Sequence, residues 1–431
     1  MVVRDNATAV LNLNGHKIIN TTGTADYESE GIIVYGNLTI NDETGKGLIE
    51  AHSRAIWARG NYGATITING GNYVGAHLNT EVIYASGNGQ IEINGGTFEA
   101  KEVSTGHGSA TNLQHIILNL HNNGKDGCNI VVKGGSYKNF DPANNIAENP
   151  AKNFCADGYV SVANGEWFDV IYDPYYGYTK VSDVAGLKAA ATDKANKIYL
   201  NPGEYTLDEV VYFTSNVELV SDGPSSTKII GKIVADENFN AKGIRFEGND
   251  TVNTTLASKY GSYVNKTSAG ALCSLITCVK DASFENCTIV SNISKSWRGI
   301  NHTTSSDLYE LNINNCAFEG DFYFISTRIN FNIQNCTFNS TLNQDGLAAV
   351  WCYGLRDAGS PAKKGTIVFS NNTNISTNGK VLVGVYFGTK NFVFDADMTM
   401  ENNIGWGEYA FGYSSNAVFG DVTLNGTKIT K

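Results

Sequence analysis

Apolar and polar residues alternate along most of this chain in short runs that end in glycine or asparagine. ITINGG (66–71), IEINGG (91–96) and IVVKGGSY (130–137) carry the pattern most clearly, with Ile66 and Ile68, Ile91 and Ile93, and Ile130 and Val132 on one side of each run. A period of two means a strand with one buried face. Each run reaches a glycine pair, two residues suited to positive φ. A second short strand follows with an inward aromatic: Tyr73, Phe98 and Tyr137. The pairs begin at Gly70, Gly95 and Gly134, so the steps are 25 and then 39 residues.

Later in the chain Asn-Cys stands where the glycines stood, in FENCTI (284–289), INNCAF (313–318) and IQNCTF (333–338), and SNNTNI (370–375) substitutes threonine. The steps between Cys287, Cys316, Cys336 and Thr373 are 29, 20 and 37 residues. A short phrase repeated at such intervals predicts a solenoid. In a parallel β-helix each coil lays two or three strands on the coil below, ~4.8 Å away. The corner must match its neighbours, whereas a loop leaving the coil is free in length. Cys287, Cys316, Cys336 and Thr373 are therefore expected to stack inward as one structural ladder.

Composition agrees. The 431 residues include 51 Asn and 46 Gly against 6 Pro, which implies many tight turns between short strands and an all-β chain. Hydrophobic residues make up 42%, enough for a sizeable core. The net charge of −11 comes from 31 basic and 42 acidic residues with no basic stripe, which argues against a nucleic-acid partner. The acidity serves solubility, and an acidic polysaccharide would need a local basic site. No stretch approaches the ~18 apolar residues of a membrane span, so no membrane insertion is expected. The opening MVVRDNATAVLNLNG enters strand alternation at once and lacks the parts of a signal peptide. Either a leader has been removed or that export route is not used.

YDPYYGYTK (172–180) interrupts the alternation with a proline and a tyrosine cluster. The expected organisation is an N-terminal β-helix over 1–173, a linker over 174–180 and a second β-helix over 181–431. The second opens with a helix, Ser182 as its N-cap and Val184, Leu187 and Ala191 on its apolar face. Such a helix covers strand edges that would otherwise template aggregation. The first β-helix starts in mid-coil at LNLNGHKI (11–18) without a cap, so its open end is expected to pack against a partner. VTLNGTKI (422–429) echoes that phrase, which makes head-to-tail stacking between molecules a minority alternative.

Eight cysteines raise the question of disulfides. The corner positions of Cys287, Cys316 and Cys336 favour small buried core residues instead. Cys273 and Cys278 lack zinc or redox spacing, and Cys128 and Cys155 fit the same reduced state; no disulfide, metal or cofactor is expected. The seven histidines show no ligand spacing and are expected in loops or on the surface. DYESE (26–30) and NDET (41–44) are acidic loop segments. The densest reactive stretches are SWRGINH (296–302) and WCYGLRD (351–357), with Asp307 and Arg328 nearby. Trp297 and Trp351 are candidates to stack on sugar rings, and Arg298, His302, Arg356 and Asp357 to bond hydroxyls or a carboxylate. The competing reading of these residues is loop anchoring and end-of-coil packing.

The INGG(T/N)(F/Y) and NC-x-F corners resemble the right-handed parallel β-helix, or pectate-lyase-like, superfamily. GGSYKNFDPANN (134–145), NFCADGYVSV (153–162) and GEWFDVIYD (165–173) resemble closing segments of β-helix repeats in gut-bacterial and bacteriophage proteins. The resemblance implies tandem right-handed parallel β-helices with a short capping helix between them. The superfamily includes polysaccharide lyases and hydrolases, but the motif sets of galacturonases and pectate lyases are not found here. The expectation is a non-enzymatic structural and recognition protein of a bacteriophage virion, a fibre, spike or decoration that binds host surface glycan. Its partners would be other virion proteins, and phage fibres by resemblance suggest a homotrimer. A bacterial cell-surface adhesin and a tailspike-like polysaccharide lyase or glycoside hydrolase are the alternatives.

Overall fold

The computed structural model describes the chain except for residues 21, 24–28, 61–62, 76–79, 104–114, 146, 148–150, 249–273, 292–297, 303–307, 321–322, 329, 341–347, 355–362, 377–382, 389–392, 408–409 and 431. It divides into two compact units, Met1–Gly177 and Tyr178–Lys431. In each, the chain passes through three sheets in turn and returns to the first one coil higher, with nearly all strand pairs parallel. Each unit is a parallel β-helix.

In the first unit, Thr65–Ile68 leads through Gly70-Gly71 into Asn72–Gly75, and Gln90–Ile93 leads through Gly95-Gly96 into Thr97–Ala100. Gln90 pairs with Thr65 and Thr97 with Asn72, so the corners lie in register. Only the second glycine of each pair has positive φ, +99° at Gly71, +112° at Gly96 and +98° at Gly135. The first is needed for a different reason: a Cβ at Gly134 would lie 2.3 Å from the Asn94 carbonyl oxygen of the coil beneath. Tyr73, Phe98 and Tyr137 are fully buried and stack with ring centroids 5.0 and 4.8 Å apart. Outside the same corner Asn12, Asn41, Asn69 and Asn94 form a ladder in which each side-chain amide donates to the asparagine below, at 2.8–2.9 Å. The unit closes with the antiparallel hairpin Tyr159–Asn164 and Trp167–Tyr172, whose second strand pairs antiparallel with Ser136–Lys138.

In the second unit the helix Val184–Thr192 buries Leu187, Ala190 and Ala191. Its N-cap is Asp183, whose carboxylate accepts from the Gly186 amide at 2.7 Å, rather than Ser182. Ser182 instead accepts from the Asn201 amide. Thr179 and Lys180 already belong to the strand Thr179–Val181. The echo at VTLNGTKI folds differently from its counterpart. Asn425 and Gly426 turn an antiparallel hairpin that pairs Thr423 with Lys428, whereas Asn14 and Gly15 join strands of two different sheets.

Asn286, Asn315, Asn335 and Asn371 all adopt positive φ, between 50° and 58°. The residues that follow three of them, Cys287, Cys316 and Cys336, are buried in one column, and the Cys287 amide donates to the Cys316 sulfur at 3.3 Å. The register places Thr373 opposite Thr337, one position past the ladder. The expected fourth rung is therefore corrected to Asn372, which is fully buried, accepts from the Cys336 amide at 3.0 Å and donates to the Ile333 carbonyl at 3.0 Å. Asn403 repeats the device above it, accepting from the Asn372 amide. Asparagine oxygen and cysteine sulfur fill the same place because each accepts a backbone N–H from the coil below. The seven described cysteines are free thiols, and Cys273 lies outside the described residues.

Candidate functional site

The third sheet of the second unit includes Ser274–Cys278, Arg298–His302, Tyr323–Arg328, Ala348–Tyr353 and Val383–Phe387. Ile276, Ile300, Ile325, Val350 and Val385 line the core. The next residue on each strand therefore faces outward. Register aligns these outward residues, one per coil, as Thr277, Asn301, Ser326, Trp351 and Tyr386. One end of the row is hydroxyl and amide; the other is aromatic.

At the aromatic end Trp351 stands with Tyr386 and Tyr353, ring centroids 4.9 and 6.5 Å away, and all three are partly exposed. The indole lies directly on Gly388, where a Cβ would fall 2.0 Å from it. Glycine is required at that point because any side chain would displace the ring. The Arg328 guanidinium sits 5.8 Å from the Tyr353 ring and donates to the Gly354 carbonyl at 2.8 Å.

At the polar end Arg298 donates to Ser326 Oγ at 2.7 Å, to Tyr353 Oη at 3.2 Å and to Asn301 Oδ1 at 3.5 Å. Arg298 is 3% exposed, so its guanidinium ties three coils of this face together and is not offered to solvent. Thr277, Asn301 and Ser274 are also buried. Thr277 Oγ1, Asn301 Nδ2 and Ser274 Oγ have no hydrogen-bond partner among the described residues.

His302 is a correction. It was expected in a loop or on a binding surface, yet it is 3% exposed and sits inside the coil, in the column of Cys278. Its Nε2 meets the Lys280 carbonyl at 2.8 Å and its Nδ1 meets Thr327 Oγ1 at 3.0 Å. The carbonyl can only accept, so Nε2 carries the proton and Nδ1 accepts from the threonine hydroxyl. Burial pushes the ring down to about 4, against the Lys280 carbonyl, which favours the charged form. His302 is a neutral core residue. Of the remaining candidates, Trp351 is on the outer face, while Trp297, Arg356 and Asp357, with Asp307, lie outside the described residues.

The sequence reading passed over a comparable constellation in the first unit. Trp57 and Tyr84 are register partners that alternate with the core residues Ile56, Ala58, Ile83 and Ala85, and so face outward. The Arg54 guanidinium lies 5.2 and 4.7 Å from their rings, and Arg59 lies 5.0 Å from Trp57. Arg54 bridges Glu30, at 2.9 Å, and Glu81. Burial raises Glu30 above the usual carboxylate range, although Arg54 opposes it. DYESE thus ends in a buried ion pair. Asp42 of NDET is likewise structural, accepting from the Gly15 and Gly47 amides and from Thr44. The available signal was the placement of Glu30, Arg54 and Glu81 just before successive strands of one sheet, visible only once the coils are aligned. Among the described residues, no group of three or more His, Cys, Asp and Glu side chains is placed to hold a metal ion.

No family profile matches the chain, and no curated protein does. Solved structures match the chain at low identity. A pectin methylesterase mutant in complex with a hexasaccharide is 12% identical with a TM-score of 0.31, over 58% of this chain and 87% of that one. The pectin methylesterase PemA from Erwinia chrysanthemi is 12% identical with a TM-score of 0.28, over 56% and 86%. A mutant of the PL6 family alginate lyase AlyGC is 11% identical with a TM-score of 0.36, over 97% and 77%. Identities this low leave the chemistry of those proteins with those proteins.

Proposed function

We propose that this chain is a non-enzymatic structural and recognition protein of a bacteriophage virion, a fibre, spike or decoration that holds host-surface glycan on the outer face of its third sheet. The observation that carries the glycan part is the Trp351 indole, laid on Gly388 between Tyr353 and Tyr386. Flat, partly exposed rings flanked by hydrogen-bonding groups suit the alternating apolar and hydroxyl faces of a sugar. The partly exposed side chains of this face among the described residues are the three rings and the Arg328 guanidinium, a set suited to holding a sugar. The virion assignment rests on the resemblance of the GGSYKNFDPANN and GEWFDVIYD segments to phage and gut-bacterial repeats, and on the stiffness a stacked solenoid brings to a fibre or spike.

The test is binding of purified protein to polysaccharides extracted from candidate host envelopes, with and without Trp351→Ala. A loss of about tenfold or more in affinity, on the order of 1.4 kcal/mol, is expected. Sustained release of new reducing ends or unsaturated sugars would replace this reading with a lyase or hydrolase. Immunogold labelling decides the location: label on particles supports the virion, and label on cell envelopes makes the protein an adhesin.

A further inference from the structure

We propose that the outer edge of the hairpin strand Tyr159–Asn164 docks another protein, which adds to it an extended segment carrying Lys or Arg at both ends. The site lies in the first unit and does not depend on the glycan reading. Tyr159–Asn164 is the end strand of its seven-stranded sheet, and its neighbour is Trp167–Tyr172. The two-residue turn Gly165-Glu166 joins Asn164 to Trp167, so the two strands exchange hydrogen bonds at Asn164–Trp167, Val162–Asp169 and Val160–Ile171. Ser161 and Ala163, between them, turn their N–H and C=O groups the other way. Neither amide has an acceptor among the described residues. Ala163 and Asn164 are exposed. Natural edges are normally blunted by lysine, proline or a bulge. YVSVAN has no charge and no proline, and its register with Trp167–Tyr172 runs unbroken. The outer face beside it is apolar, with Val162 43% and Ile171 50% exposed, so an added strand gains aliphatic contacts there.

Charge selects the occupant. Between Asn153 and Thr179 there are four carboxylates, Asp157, Glu166, Asp169 and Asp173, and no Lys, Arg or His. Asp157 and Glu166 are exposed and stand just beyond the two ends of the strand. A second copy pairing antiparallel about Val162 would bring Glu166 of one chain to Asp157 of the other, and like charges set opposite each other are destabilising. A strand with cationic ends meets a carboxylate at each. Tyr172, 64% exposed, also offers a ring face to one of those cations. Backbone pairing thus supplies the affinity and the carboxylates supply the choice.

The experiment uses the full chain and a labelled peptide with blocked termini, Lys-Thr-Val-Thr-Val-Thr-Lys, with affinity read by fluorescence anisotropy at low salt. Exchanging both lysines for glutamate, or N-methylating the central residues, should each weaken binding about tenfold or more. Ala163→Pro should do the same, because it removes an edge N–H that makes no bond within the hairpin, and its melting temperature should stay close to the wild type's. Should that variant unfold the hairpin, the N-methylated peptide decides alone, since it leaves the protein untouched. Equal affinity for the N-methylated peptide means attraction without strand pairing and overturns the inference. Equal affinity for the glutamate peptide, or no binding of the lysine peptide, overturns it as well. A concentration-dependent dimer that Ala163→Pro abolishes makes a second copy the occupant and also overturns it.

Discussion

Single side chains set two measurable properties of this protein. Neutral His302 is held inside the coil with its folded-state value near 4, against 6.5 for a free imidazole. Below pH 6.5 the unfolded chain takes up a proton that the folded chain refuses. The stability contributed is therefore complete above pH 6.5 and lost as the pH falls toward 4. The full difference is on the order of 3 kcal/mol, of which about 2 kcal/mol should disappear between pH 7.5 and pH 5. Denaturant titrations at those two pH values should show that loss in the wild type and a smaller one in His302→Gln. The second property is the ladder. Asn372→Ala leaves the Cys336 amide and the Ile333 carbonyl unmatched, a cost of about 3 kcal/mol, whereas Thr373→Ala should cost less than about 1 kcal/mol. Equal midpoints for the two variants would contradict the register. The motif SNNTNI concealed this assignment because two adjacent asparagines offer two alignments with Asn-Cys, and only strand pairing selects between them.

At the scale of elements, corners and alternating strands were legible in the residues. ITINGG and IQNCTF show period two because their strands have one wet face, and the glycine or asparagine that follows is required by backbone geometry. Strands of the third sheet, such as Arg298–His302 and Ala348–Tyr353, were not legible, since they are buried or nearly buried on both faces and lose the alternation. The outward row of Thr277, Asn301, Ser326 and Trp351 was hidden for the same reason; only its tryptophan drew notice. The helix start was misread by one residue because Ser182 and Asp183 are both good caps and only one reaches the Gly186 amide. Asp183→Ala should accordingly cost about 1 kcal/mol and Ser182→Ala much less, as read from thermal midpoints. Gly96→Ala should be more severe than either cap change, since a Cβ there lies 2.8 Å from the Gly71 carbonyl oxygen at a φ of +112°.

For the whole molecule, each unit has its own hydrophobic core, one running from Val3 to Val170 and the other from Val181 to Val422. A chain limited to residues 178–431 is expected to fold, with the circular dichroism of a β protein and a cooperative melt. Removing residues 178–193 as well would strip Leu187, Ala190 and Ala191 from the end of that core and bare its first strands. The shortened chain should then aggregate at concentrations where the longer one stays dispersed. Retained solubility of the shorter form would show that the helix has no protective role.

The column of sulfur atoms inside the second unit also makes the protein its own strain gauge. Cys287 and Cys316 are sealed from water, and burial holds both thiols well above their ordinary ionisation range, so a reagent that attacks thiolates finds nothing to attack while the coils stay stacked. Each alkylated cysteine then records one opening of the coil that carried it. A timed pulse of such a reagent, read by peptide mass, would show whether the spring unwinds from one end or gives way in the middle.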